Sequence, residues 1–227
     1  MDDGSTKAED ILPEADITIV CLPVAVTIDF IQENAGLWRS GSVVTDVGSI
    51  KSAIVEAGEA ALTPLGVHFV GSHPMAGSEK SGLDTATADL YQNAVVFVTK
   101  TTTTSHSAAS KIIDMWTRIG STVQDIELSA HDTLVAHTSH FLHLISPAAM
   151  NVALAPENAM LGTAGGFRDM TRIAASSPQM WLEIFQQNKD RILECMDAFQ
   201  TELKTFSDAV RDENWERLET LLTQARE

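Results

Sequence analysis

The 227-residue chain carries 31 acidic and 15 basic side chains, a net charge of −16, with 44% hydrophobic and 20% charged residues. Such a composition suits a globular chain able to bury one large core or two modest ones. The charge argues against nucleic acid or an anionic membrane as partner, since both need a basic footprint.

The first half alternates strand and helix signals. Ile17-Thr18-Ile19-Val20-Cys21-Leu22 is an apolar run stopped by Pro23, and a helical spacing follows from about Val26 to Trp38. Ser42 to Val47 predicts the next strand and Lys51 to Leu62 the next helix. Val67 to Val70 and Val95 to Val98 predict two more strands. A helix over about 108–119 and a strand at Thr122 to Asp125 complete the series. Strands alternating with helices of ten or more residues read as βαβ units on a parallel sheet with helices on both faces. After about Leu128 only helical patterns continue, broken near Pro156, at Gly162 to Gly166 and at Ser177-Pro178. Two long helices close the chain, Met180 to Val210 and Glu213 to Ala225, with an apolar stripe suited to a core or a dimer interface. The sequence thus divides into an α/β half, residues 1–127, and an all-α half, residues 128–227.

Cys21 and Cys195, in no CxxC pattern, read as reduced thiols of a cytoplasmic protein. Met1 to Ser5 lacks the basic and apolar regions of a signal peptide. No run of about 18 apolar residues is available to span a membrane.

Three segments carry chemistry. Leu22-Pro23-Val24 and Asp46-Val47-Gly48-Ser49 end two strands, and ligands of an open parallel sheet bind beyond the carboxyl ends of its strands. Ser49 presents a hydroxyl there, or else caps the following helix. The second segment, Gly71 to Gly82, reads as a shaped loop in which Pro74 holds His73 out of the helical region, at the end of a strand. A histidine so placed suits general acid–base work because its ordinary pKa is near neutrality. The third runs from Gly165-Gly166 through Arg172, with Trp181 beyond. Arginine is the usual partner of a carboxylate, although Asp169, three residues earlier, offers Arg172 an ordinary helix salt bridge.

Taken in order, Asp46-Val47-Gly48-Ser49-Ile50-Lys51, the His73 loop ending Glu79-Lys80-Ser81-Gly82, His131-Asp132 through Ser139-His140-Phe141-Leu142-His143, and Gly166-Phe167-Arg168-Asp169-Met170-Thr171-Arg172 resemble the prephenate/arogenate dehydrogenases of tyrosine biosynthesis. The resemblance covers nearly the whole chain. It implies a Rossmann-like dinucleotide-binding domain followed by a helical domain for dimerisation and substrate binding. It further implies an NAD- or NADP-dependent oxidative decarboxylation of prephenate or arogenate, performed by a homodimer. In that family's terms His73 takes the proton of the ring hydroxyl, Ser49 orients that hydroxyl and Arg172 binds a substrate carboxylate. His143, Glu79 and Trp181 line the pocket. Leu22, Pro23, Val24, Asp46, Gly48, Ser49 and Pro74 fall to the cofactor.

The chain departs from the family's pattern in two places. Leu142 stands where a proline is usual. The strand and GxGxxG turn that bind the pyrophosphate are absent, so the chain reads as lacking the family's first segment, with weak dinucleotide binding expected of it. A regulatory or dimerisation module without its cofactor half is therefore the alternative function, and cofactor titration separates the two. A β-hydroxyacid dehydrogenase shares the layout but relies on a helix lysine. His131, His137, His140 and His143 raise the possibility of a metal, yet positions 137, 140 and 143 step by about 300° around a regular helix and do not converge. No HExxH supports a closed site, and no metal is expected.

Overall fold

A computed structural model describes residues 4–77 and 86–226, and its first strand, β1 (Ile17–Val20), opens a five-stranded sheet of order β1-β2-β3-β4-β5. Helix α1 (Val24–Asn34) crosses over to β2 (Val43–Asp46), and α2 (Ser52–Leu62) crosses over to β3 (His68–Pro74). Both pairings are parallel, with Val20 beside Asp46 and Val44 beside Phe69. The two strand ends that precede α1 and α2 therefore lie side by side at one edge of the sheet.

The next pairing corrects the expectation of an all-parallel sheet. Strand β4 (Val95–Thr99) runs antiparallel to β3, with His73 opposite Phe97 and Pro74 opposite Val96. Parallel neighbours need a crossover element on a sheet face. Of the connection into β4, residues 75–77 and 86–94 are described and hold no helix. Gly71 to Pro74, expected to begin a loop, are instead the last residues of β3, recruited by the backbone ladder of β4. Helix α3 (His106–Ile119) then leads to β5 (Thr122–Ile126), parallel to β4.

Alternate strand residues feed two cores. Val44 and Phe69 join Val20, Val24, Ile31, Ile54, Val55 and Leu62 beneath α1 and α2. Val43, Val70, Val96 and Val98 pack with Ala108, Ile112 and Trp116 of α3 on the other face. Burial of both faces explains why these strands read as continuous Val/Ile runs. The sheet lies close against α2 because Gly58 has no side chain: a Cβ there would stand 2.7 Å from the Phe69 ring.

The remaining chain is helical: α4 (Leu128–Val135), a π turn over Ala136–His140, α5 (Phe141–Ala153), α6 (Gly165–Ala174), α7 (Pro178–Gln187), α8 (Lys189–Arg211) and α9 (Trp215–Gln224). Gly165 and Gly166 open α6 rather than forming the break before it. The single helix expected from Met180 to Val210 is two. It breaks at Asn188, whose buried amide leaves the helix to donate to the Asp132 carbonyl at 2.8 Å. Through α7 the helical half also enters the first core, where Ile184 is buried with Trp181 and Phe185 against it. No helix among the described residues is long and apolar enough to cross a membrane.

Candidate active site

The site is organised by what α2 does at its start. Ser49 does not cap it: the helix opens at Ser52 with Lys51 in the cap position and no cap from its own segment. The cap comes from α4. The Asp132 carboxylate accepts from the backbone N–H of Lys51 and of Ser52, both at 2.9 Å. Burial works against that charge, but the hydrogen bonds from His131, Ser52 and Lys51 outweigh it and hold the carboxyl well below the usual range.

Asp132 also bonds His131 Nδ1 at 2.8 Å, and His131 Nε2 lies 2.9 Å from His73 Nδ1. The proton positions follow from the anchor. An ionised Asp132 is only an acceptor, so His131 Nδ1–H donates to it. A neutral His131 then accepts at Nε2, and His73 donates from Nδ1. His73 Nε2 is left with its lone pair and makes no hydrogen bond among the described residues. Both rings are buried, and Phe97 stacks edge-on against His131. Burial, followed by the charge of Lys51 and the neighbouring His131 and His140, holds the His73 pKa well below its ordinary value; Asp132 opposes them.

A second buried set positions the strand that carries His73. Asp46 and Lys51, both fully buried, form an ion pair. The same carboxylate accepts from the N–H of Gly48 at 2.8 Å and of Ser72 at 3.2 Å. Ser72 Oγ in turn meets Thr45 Oγ1 at 2.7 Å and accepts from Trp116 Nε1 at 3.1 Å. Burial lowers the Lys51 pKa, while Asp46 and Asp132 pull it back up. Asp46 is thus turned inward, so its expected contact with cofactor becomes one of positioning. Gly48 likewise serves the interior: a Cβ there would meet Ile54 Cδ1 at 2.5 Å and Asp46 Oδ2 at 2.9 Å.

The remaining residues divide by exposure. Leu22 and Pro23 are exposed at the end of β1, and Pro74 and Val24 are buried. Helix α1 has no side-chain cap, so the N–H groups of its first turn lack intrahelical partners. Ser49 is half-buried and its hydroxyl is unbonded among the described residues. His143 donates from Nδ1 to the Ser139 carbonyl at 2.9 Å, and its ring stacks on Trp181 with centroids 3.7 Å apart. Burial lowers the His143 pKa, and nearby Arg172 lowers it further. Trp181 Nε1–H is buried without a partner among the described residues. Arg172 is exposed on α6 and forms no ion pair with Asp169 among the described residues. Glu79 lies outside the described residues.

The histidines diverge. His131 turns to His73, His140 to Asn188 at 3.2 Å and His143 to Trp181, while His137 is exposed beside Phe141 and Cys195. The helix is not the regular one expected from the sequence. An i→i+5 turn adds one residue to a turn and rotates the downstream residues by about 100°. Among the described residues, no three His, Cys, Asp or Glu side chains are grouped to share a metal ion.

Parallel strand ends beside helix α1, a buried histidine at the end of β3 and a helical half packed onto the same core define a Rossmann-like α/β domain followed by a helical domain. Residues 1–125 match the family model for the prephenate dehydrogenase nucleotide-binding domain, and residues 127–224 match that for the prephenate dehydrogenase dimerization domain. The chain belongs to the prephenate dehydrogenase family. It is 33% identical over 226 residues to prephenate dehydrogenase of Bacillus subtilis, spanning 96% of this chain and 60% of that one. It is 30% identical to cyclohexadienyl dehydrogenase of Zymomonas mobilis, spanning 96% and 75%. Prephenate dehydrogenase of Aquifex aeolicus in complex with hydroxyphenyl propionate and NAD+ superposes with a TM-score of 0.91 at 29% identity, over all of this chain and 80% of that one.

Sequence motifs point to His73, Ser49 and Arg172 but assign no function to Lys51, His131 or Asp132. Lys51 and His131-Asp132 lie in the motif segments, and Asp132 is also a poor helix former set inside a helix beside a histidine.

Proposed function

We propose that this chain carries the catalytic machinery of an NAD(P)-dependent dehydrogenase that oxidatively decarboxylates prephenate or arogenate. The observation that supports this most is the buried His73 with Nδ1 engaged and Nε2 without a hydrogen bond among the described residues. A base kept neutral at pH 7 accepts a hydroxyl proton without first losing one of its own. The ligands of the Aquifex aeolicus relative fit the reading, since a hydroxyphenyl acid is the skeleton left after the ring has lost CO2.

The residues suit the nicotinamide end of a bound dinucleotide. Leu22, Pro23 and the first turn of α1, which has no side-chain cap among the described residues, form an uncharged surface at the ends of β1 and β2, and inward-turned Asp46 is held by Lys51. A nicotinamide bound there would rest on Gly48, Ser49 and Pro74 and would accept the hydride that leaves the hydroxyl-bearing ring carbon. His73 Nε2 takes the ring hydroxyl proton, and Ser49 orients that hydroxyl. Electrons of the breaking C–CO2 bond enter the ring, CO2 leaves, and the phenolate oxygen recovers the proton from His73. Arg172 binds a substrate carboxylate, while Trp181 and His143 wall the pocket. Glu79 joins them in this reading.

The enzyme works as a homodimer through the helical half, where Val152, Met160, Leu161, Leu182 and Leu203 are all more than half exposed. Its setting is the cytoplasm, in keeping with the free Cys21 and Cys195. Turnover of prephenate and arogenate with NAD and NADP tests the reading. His73→Asn is expected to lower kcat by roughly 10²- to 10⁴-fold with a smaller change in KM. A variant keeping more than half its activity removes His73 from the base role.

A further inference from the structure

We infer that His131 and Asp132 are positioning residues for this reaction: anchored on the first peptide groups of α2, they fix the His73 tautomer that leaves Nε2 free to accept the substrate proton. The inference rests on the base role of His73 given above and adds what selects its active form.

An isolated neutral imidazole can carry its proton on either nitrogen, and only one of the two forms serves here. The selection runs outward from the backbone. The N–H groups of Lys51 and Ser52 can only donate, so both bind the Asp132 carboxylate. That carboxylate can only accept, which assigns the His131 proton to Nδ1. His131 Nε2 is then an acceptor, which assigns the His73 proton to Nδ1. With one proton on each ring, each link has one consistent direction, and the chain ends at the nitrogen facing the reaction. The groups acting on His73 from all sides are Lys51, His131 and His140, which disfavour its charged form, and Asp132, which favours it. When the hydroxyl O–H bond breaks and an N–H bond forms at Nε2, the new positive charge lies two hydrogen bonds from Asp132. The proton stays on His73, and Asp132 remains ionised until the phenolate oxygen takes the proton back. The logic is that of a carboxylate orienting a catalytic histidine, here with a second imidazole between them.

The test combines imidazole ¹⁵N spectra of the unliganded 227-residue chain with pH–rate profiles. The wild-type His73 is expected as the Nδ1–H form. In Asp132→Asn, the amide can donate to His131 and reverse both proton assignments. The His73 signal should shift toward Nε2–H and kcat should fall roughly 10²- to 10⁴-fold. The variant's acid limb should move to lower pH, because the carboxylate that favoured protonation is gone. His131→Gln offers an amide donor at one end and an acceptor at the other, so it should hold the Nδ1–H form and keep kcat within about tenfold, ~1.4 kcal/mol. His131→Leu should lose both. Should Asp132→Asn fail to fold for want of the α2 cap, the two His131 variants decide, since both keep the Asp132 carboxylate and its bonds from Lys51 and Ser52. Folded Asp132→Asn and His131→Leu with wild-type kcat, acid limb and His73 signals overturn the inference. If those variants are unaffected while His73→Asn is inactive, only the positioning role falls. If His73→Asn is active, the base role falls with it.

Discussion

The two ends of the candidate site are built in opposite ways. At the His73 end the supporting polar groups are buried and bonded, from the Asp46–Lys51 pair through Ser72 to Asp132 and His131. At the Arg172 end the guanidinium is exposed on a helix that buries none of its residues. A proton-transfer site must hold its geometry before substrate arrives, because misalignment there costs rate directly. A group that grips one carboxylate can stay in water until the ligand comes. Damage to the first end should therefore appear in stability and kcat, and damage to the second in KM.

The largest effect is expected where a buried charge loses its partner. Lys51→Met leaves the Asp46 carboxylate unpaired in the interior and should cost about 3–5 kcal/mol, read from the denaturant midpoint. A cost below about 1 kcal/mol, the range of an exposed pair, would blur the contrast between the two ends.

Acid should weaken the same end. Burial lowers the His140 pKa from 6.5 to about 4, against the partial opposition of Asp132. His73 lies well below its ordinary value, with burial as the main cause. The unfolded chain takes up protons on these rings near pH 6.5, whereas the folded chain does so only at lower pH. Stability is therefore full above about pH 6.5 and lost as pH falls toward 4, by about 3 kcal/mol at pH 4 for His140 alone. Denaturant melts between pH 7 and 4 should show this slope, and His140→Asn should flatten it.

The open end predicts the opposite signature. Arg172→Gln should weaken substrate binding by about 1.5–3 kcal/mol, the worth of hydrogen bonds to a charged group, with the melting temperature unchanged. Lost stability without a change in KM would mean that Arg172 serves the fold. Ser49→Ala, which removes one neutral hydrogen bond, should have the smallest effect, about 0.5–1.5 kcal/mol in kcat/KM.

The same contrast explains what is legible in the sequence. The strands are visible because β2 and β3 feed Val43, Val44, Phe69 and Val70 into cores on both faces, which writes an unbroken apolar run. Ser49, His73 and Arg172 stand out because each belongs to a continuous motif. The links that tie His73 to its support are not local. Lys51 and Asp132 are 81 residues apart and His73 and His131 are 58 apart, so neither pair leaves a spacing pattern. The antiparallel β4 is hidden for a related reason, since strand direction is set by the connection and not by the strand's own residues. The π turn escapes because helical periodicity cannot show one inserted residue. The break at Asn188 escapes because its bonding partner, the Asp132 carbonyl, comes from another helix.

Ile184 gives the division at residue 127 a different meaning. This side chain of α7 is buried within the core formed by β1, β2, β3 and their two helices, with Trp181 and Phe185 against it. The segment that begins as a separate helical region thus completes the hydrophobic interior of the earlier one. The two segments should share one cooperative transition on heating, with no plateau between them. Cutting the chain near residue 127 would leave the first piece with an open apolar face and the second without its anchor, so neither would be an autonomous folding unit.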